Sequence, residues 1–369
     1  MKTTQELYNE KLNRIKKVVA LEKPDRVPVI PLGTSFCANH LGVKVSEVAQ
    51  NAEKLTDVML KSFTSLGEID AVQQPTFDVN LLSMAWLSKV KIPGIQLPED
   101  APWQVAEAEL MTVEDYDTII NKGYNAFFGE FQASRLDNLM QKLGPSLAYT
   151  PVASERFKEA GVVTLSPAMG IMPYEYFCGG RTMPKFTRDL FRMPDKVQAA
   201  MDAAMPDILE GLRQLSRGLK PIGAWVGGWR SASEFLSPKT WQRFVWPYMK
   251  QITEVFLEEG VIPVFHLDSN WERDLEFFRE FPKGRCIISP DGSTDIYKVK
   301  KVLGDHMAIM GDVHASMFTL GTPDEVYKYS TKLINEIGPT GFILSSGCDI
   351  PFNAKPENVA AMISAATGK

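Results

Sequence analysis

Cysteine and histidine are both scarce in this chain, at four residues each in 369. Cys37, Cys178, Cys286 and Cys348 lie far apart with no CxxC pair, so a disulfide framework is not expected and each thiol is free to be an apolar filler or a ligand. A basic excess is also missing. The net charge is −5, which argues against general nucleic-acid binding, for which a basic patch is needed. No uninterrupted apolar run approaches the roughly 18 residues of a membrane span, so no membrane partner is expected. The opening stretch MKTTQELYNEKLNRIKKVVALEKPDRVPV is too charged for a secretory or transit signal, and a cytoplasmic protein is the expectation. A Walker loop, a GxSxG elbow and a strand-anchored GxGxxG are all lacking, which removes support for nucleotide hydrolysis, serine hydrolysis and dinucleotide binding. Low-complexity segments, internal repeats and flexible linkers are absent too, so residues 1–369 are read as a single domain.

What remains is an ordinary globular composition, 44% hydrophobic and 23% charged, arranged as an alternation. Short apolar or β-branched runs alternate with amphipathic stretches from end to end: RVPVIP (26–31), DAVQQPT (70–76), GVVTLSPAM (161–169), GAWVGG (223–228), VIPVFHLD (261–268), CIISPDG (286–292), MAIMGDV (307–313) and GFILSSG (341–347). Eight such runs separated by helices predict an α/β protein, a (β/α)8 TIM barrel with an N-terminal helical extension. Ser237-Pro238 and Thr322-Pro323 put a capping hydroxyl before a proline and mark helix starts. Region 86–109 breaks the alternation with prolines and short extended pieces, and reads as a hairpin-like insertion after strand 2 that overhangs the site or meets a partner.

The run GFILSSGCDIPFNAKPENV (341–359) ends a buried strand on Cys348, and VIPVFHLD ends on His266 and Asp268. Strand alternation sets His266 and Asp268 on one face, and barrel strands converge at their C-terminal ends, so nitrogen, oxygen and sulfur donors are expected to meet there. That set suits zinc with an open fourth position. His306 precedes a strand and reads as a solvated loop residue, whereas His314 sits at a strand top as a candidate substrate contact. Asp78, after the second strand, fits either an Asx-type turn cap or a catalytic carboxylate. Asp291 and Asp312 are similar cases. Phe36, Phe77, Tyr174, Tyr176, Trp229 and Phe352 crowd the predicted rim; about half should be packing only, the rest lining a pocket for a flat or apolar ligand. Phe77, Tyr174 and Trp229 are the candidates for substrate binding, and Tyr176 for catalysis beside Asp78.

DRVPV, PYEYFCGGR, SPKTWQRFVWPYMKQI, GDVHASMFTLGTPDEV and GFILSSGCDIPFNAKPENV together resemble the uroporphyrinogen decarboxylase superfamily over nearly the whole chain. Within it the chain looks less like the decarboxylases, which carry arginines after the first strand and a histidine in the last strand-end motif, than like the corrinoid-dependent methyltransferases. Here the first region reads IPLGTSFCANH and the second holds Cys348. The resemblance to the methylcobamide:coenzyme M enzymes, which hold zinc by His-x-Cys and a distant Cys, falls on His266 and Cys348, with Asp268 in place of the first cysteine. It implies a zinc-dependent methyltransferase moving a methyl group between a small-molecule donor or acceptor and a corrinoid (cobalamin) on a partner protein. With one thiolate fewer, the metal is expected to activate an oxygen or nitrogen leaving group, or an acceptor other than the thiol of coenzyme M. The rival readings are a decarboxylase of a porphyrinogen or other carboxylate, with Asp78 stabilising a protonated pyrrole, and a non-catalytic corrinoid- or tetrapyrrole-binding barrel.

Overall fold

The structure, a computed structural model, describes residues 2–368. Its strands in chain order are β1 (Ala71–Val72), β2 (Lys89–Lys91), β3 (Gln104–Ala106), β4 (Val163–Thr164), β5 (Ala168–Gly170), β6 (Gly223–Gly228), β7 (Ile262–Leu267), β8 (Ile287–Pro290), β9 (Ala308–Val313) and β10 (Phe342–Ser346). Strands β5 to β10 lie side by side in sequence order as a parallel sheet, β1 pairs with β4, and β2 with β3. Helices such as Pro194–Leu219, Trp246–Glu258 and Pro323–Glu336 connect the parallel strands. The protein is therefore an α/β fold built on parallel strands and many helices.

Three runs form less strand than their composition predicts, and each contains proline; DAVQQPT keeps only Ala71–Val72 ahead of Pro75. In RVPVIP only Val29 bridges, to Leu344, because Pro28 and Pro31 have no N–H to give a ladder. The run still accepts and donates where it can: Ile30 N–H donates to Leu344 O at 2.9 Å, Leu344 N–H to Pro28 O at 2.9 Å, and Asp70 N–H to Val29 O at 3.0 Å. In GVVTLSPAM, Pro167 separates β4 from β5.

Period-2 alternation sorts the strand residues between two cores. Trp225, Val264, Ile287, Ala308, Met310 and Ile343 share one cluster with Ile15 and Val18 of the N-terminal helix Thr4–Val19. Their neighbours Val226, Phe265, Ile288, Ile309 and Leu344 face the helices instead. The N-terminal helix starts from a Thr3–Glu6 capping box and lies against the N-terminal strand ends. There Arg14 bonds to Asp70, and to Asp25 at 2.6 Å, and Arg26 reaches Asp70 at 2.6 Å. Asp70, fully buried, also accepts from Val29 N–H at 2.8 Å, so this carboxylate has no idle oxygen.

Insertion 86–109 forms the antiparallel hairpin β2–β3, with Lys89 opposite Ala106. It is tied down at its far strand: Glu107 accepts from Arg230 at 3.1 Å, and Glu109 bonds both Arg181 and Lys185.

Candidate metal centre

His266 is the penultimate residue of β7, opposite Gly227 of β6 and Ser289 of β8. It is 2% exposed. Its Nε2 lies 3.4 Å from Asp268 Oδ1 and 3.8 Å from Cys348 Sγ, beyond the end of β10. One donor atom from each of the three falls within 4.8 Å of the others. The spacing follows from the sequence: two residues along an extended chain return Asp268 to the His266 face, and Cys348 follows another strand that ends at the same level. The ring of His266 stacks on Trp225, centroids 4.3 Å apart and planes within 5°, which fixes its orientation.

The polar atoms here are left unsatisfied. Asp268 Oδ1 and His266 Nδ1 are buried without a hydrogen-bond partner, although buried polar groups are nearly always paired. Burial drives the ionisation of all three groups towards neutral forms. It lowers His266 to about 4, against the pull of the Asp291 carboxylate. It raises Asp268 to about 7, with Asp291 and Glu175 adding repulsion, and pushes the Cys348 thiol well up, with Asp268 and Asp349 adding to it. A bound dication would repay these desolvation costs, because metal ligation needs the neutral imidazole, the carboxylate and the thiolate. The donor set fits zinc in number and kind. The open side of Asp268, whose side chain is 34% exposed, faces the cavity.

That cavity measures about 140 Å³ and is walled by Trp86, Trp103, Trp225 and Trp229, with Leu32 and Met169 among its apolar residues. Arginine and lysine are absent from its described lining. Trp103 comes from the hairpin, so the insertion does overhang this cavity. Trp86 and Trp229 meet edge to face at 5.3 Å. The loop bearing Trp229 is pinned by Glu175, a fully buried carboxylate that accepts from the N–H groups of Trp229, Arg230 and Ser231 at 3.0, 3.0 and 3.1 Å and from Ser231 Oγ at 2.7 Å. Burial raises the Glu175 pKa above the usual carboxylate value, and these donors oppose it. Asp349 also borders the cavity; it accepts from Thr34 N–H at 3.0 Å, and burial lifts it to about 6.

Of the residues singled out from the sequence, His266, Asp268, Cys348, Phe77 and Trp229 meet at this cavity. Others do not. Asp78 opens onto a neighbouring cleft, its Oδ1 accepting from Asn80 N–H and Nδ2 at 2.9 Å and its Oδ2 from Ser146 Oγ at 2.6 Å. That is the Asx-turn arrangement. Tyr176 stacks on Tyr124 at 5.4 Å, Tyr174 is 1% exposed and packs on Phe186, and Phe36 is core. His314 lies against Tyr329, whose hydroxyl is 3.4 Å from His314 Nε2 and donates to Asp312 at 2.8 Å. His306 bonds the Phe281 carbonyl in a loop before β9. Sequence reasoning passed over Trp86, Trp103, Trp225 and Asp349. Trp225 carried a usable signal, since alternation in GAWVGG sets it on the face that His266 stacks against.

Parallel strands delivering metal donors to a shared end define an α/β enzyme-like scaffold. The chain belongs to the uroporphyrinogen decarboxylase family: residues 172–368, more than half of it, match the model of Uroporphyrinogen decarboxylase (URO-D). Among solved structures, a methyltransferase from Methanosarcina mazei is similar in fold, with a TM-score of 0.71 at 15% identity over 97% of this chain and 98% of that one. No curated protein sequence matches this one. Among the described residues no helix is long and apolar enough to cross a membrane.

Proposed function

We propose that this protein is a cytoplasmic, zinc-dependent methyltransferase that moves a methyl group between a small molecule and the corrinoid of a separate partner protein. The observation that carries the reading is the convergence of His266, Asp268 and Cys348 at the end of a tryptophan-walled cavity, with Asp268 Oδ1 lacking a partner. When bound, zinc supplies a Lewis acid to the heteroatom that gives up or takes the methyl, and the corrinoid supplies the cobalt that carries it. His266, kept neutral by burial, would donate through Nε2, which faces the other two donors. Trp225 holds that ring in line. Trp86, Trp103 and Trp229 exclude water, and Glu175 fixes the backbone on which Trp229 stands. Asp78 acts by position, tying the loop of Phe77 to Ser146.

The scaffold is read as one domain, a closed (β/α)8 barrel. Support comes from the bonds that link Val29 to β10 and to Asp70, the β1–β4 pair, and the short peptide joining β4 to β5. The family name keeps a decarboxylase in view. A cavity without arginine or lysine, and of this size, speaks against a polycarboxylate tetrapyrrole as substrate.

Protein purified without chelators should carry about one zinc per chain, and His266→Ala and Cys348→Ser should lose it. Equal zinc in all three would remove these residues as ligands. With methylcobalamin or a reduced corrinoid protein, cobalt absorbance should report methyl transfer to or from thiols, folates or methylated small molecules, and Asp268→Cys should shift preference towards thiols. Porphyrinogen decarboxylation with no cobalt chemistry under any pairing would favour the decarboxylase.

A further inference from the structure

A second cavity of about 370 Å³ lies beside the first, between helix Leu139–Glu159 and the end of helix Pro194–Leu219. The two share Gln74, Phe77, Leu81 and Met169. These four side chains are therefore the partition between the metal-site cavity and a lateral cleft. The main chain does not close this gap. The contact between the β1 and β4 segments ends with Ser166 N–H donating to Gln73 O at 2.8 Å, and β5 pairs with β6 alone. Among the described residues no hydrogen bond joins 74–77 to 167–170. Proline again explains the break, since Pro75 and Pro167 stand at the facing positions and neither has a donor.

The partition is soft. Phe77, Leu81 and Met169 are only half buried, and Met169 has the long unbranched side chain that rearranges most readily in a core. At its outer lip the cleft presents Leu147 and Leu215, 40% and 38% exposed. Among the described residues no lysine or arginine lines either space, and Asp78, with both oxygens occupied by neutral donors, is the one carboxylate of the cleft. Both spaces thus disfavour anions and accept an uncharged, largely apolar molecule. The inner one matches in size the ~150 Å³ apolar cavity that takes up benzene.

We propose that this lateral cleft is the port and holding site for the small-molecule substrate, an uncharged molecule of about one ring, which passes Phe77 and Met169 to reach His266, Asp268 and Cys348. The assignment of a substrate to the cavity rests on the methyltransferase reading above; the cleft and its partition do not. A separate side entrance resolves a geometric conflict of that reading. A 140 Å³ cavity has no room for a corrin, so the cobalt must be presented at the strand ends by a protein that covers them. A small molecule with its own door needs no such uncovering.

Gly218 tests this without touching the metal site. It lines the cleft but not the metal-site cavity, is helical, and has nothing within 4 Å of an added Cβ, so Gly218→Trp adds bulk at the cleft wall without a backbone clash. Fluorobenzene binding, read from its 19F line width, needs no turnover. Broadening by the wild type that Gly218→Trp reduces at least fivefold is the expected result; no broadening, or equal broadening, overturns the port. In the cobalt assay the same variant should lower kcat/KM for the small molecule about tenfold, with zinc content and the dependence on corrinoid protein unchanged. Unchanged kcat/KM in a zinc-loaded variant also overturns it. Loss of zinc binding or of all cobalt chemistry in the wild type would sink the methyltransferase reading and leave the fluorobenzene result standing.

Discussion

The two ends of the parallel strands treat charge in opposite ways. At the N-terminal ends, buried Asp70 is satisfied by Arg14, Arg26 and the Val29 N–H. At the C-terminal ends, Asp268 and His266 each keep a buried polar atom without a partner. Saturated charge serves stability, and it is costly to disturb because removing one partner strands the other. Unsaturated donors do the reverse: they weaken the empty fold and wait for a ligand to complete them. On the proposed reading, the contrast separates a structural carboxylate from a candidate metal ligand where place on a strand does not. Asp78 makes the point, for it too follows a strand, yet both of its oxygens are taken.

The sharpest way to break this contrast is at the saturated end. Arg14→Met should cost about 3–5 kcal/mol in urea unfolding, since Asp70 would lose a buried partner, while zinc content stays at the wild-type level. A loss below about 1 kcal/mol would mean that the network is not saturated in the sense argued. At the other end, Cys348→Ser should weaken zinc at least ~100-fold, since a charged soft donor gives way to a neutral hydroxyl. Unfolding of the metal-free variant should hardly move.

Asp312 tests the rule in a third place. It is 2% exposed and burial raises it to about 6, against the donating Tyr329 hydroxyl and the nearby His314. A raised carboxyl pKa means that the folded state holds the proton more tightly than the unfolded one. The penalty is therefore absent below about pH 4, grows through about pH 6 and is constant above. Asp312→Asn, which can still accept from Tyr329, should stabilise the protein by about 1–3 kcal/mol at pH 8 and by little at pH 4. Equal effects at both pH values would contradict an ionised, buried Asp312. Smallest of all, Glu107→Gln should loosen the hairpin tie to Arg230, a partly exposed pair contributing roughly 0.5 kcal/mol. Hydrogen exchange of residues 89–106 should quicken while the global melting temperature stays within about a degree.

Much of this was legible in the residues. β6 matches its predicted span, and β7 to β10 fall within a few residues of theirs, because each run is apolar, β-branched and bounded by turn residues. RVPVIP, DAVQQPT and GVVTLSPAM form less strand than their composition suggests, since apolar composition says nothing about which N–H groups a proline removes. The three donors were readable because a strand end and an i, i+2 spacing are local facts. Trp86, which closes helix Asn80–Trp86, and Trp103 were not: Trp103 reaches the cavity through the way the insertion docks, which depends on Glu107 and Glu109 meeting arginines more than 70 residues away. Tyr174 and His314 show the converse, rim positions by sequence whose side chains turn towards packing.

Glu175 has a consequence for anyone who would reshape this cavity. Its carboxylate is a knot in which one side chain of helix Pro173–Arg181 fastens three successive amides of the loop after β6. The loop's course is thus decided from outside itself, so the side chain at 229 can be exchanged for a smaller or larger one while its Cα stays put. Trp103 has no such anchor of its own and rides on a hairpin held at its edge. Directed variation at 229 should therefore change the volume of the cavity and leave its outline alone, whereas variation around 103 alters both together.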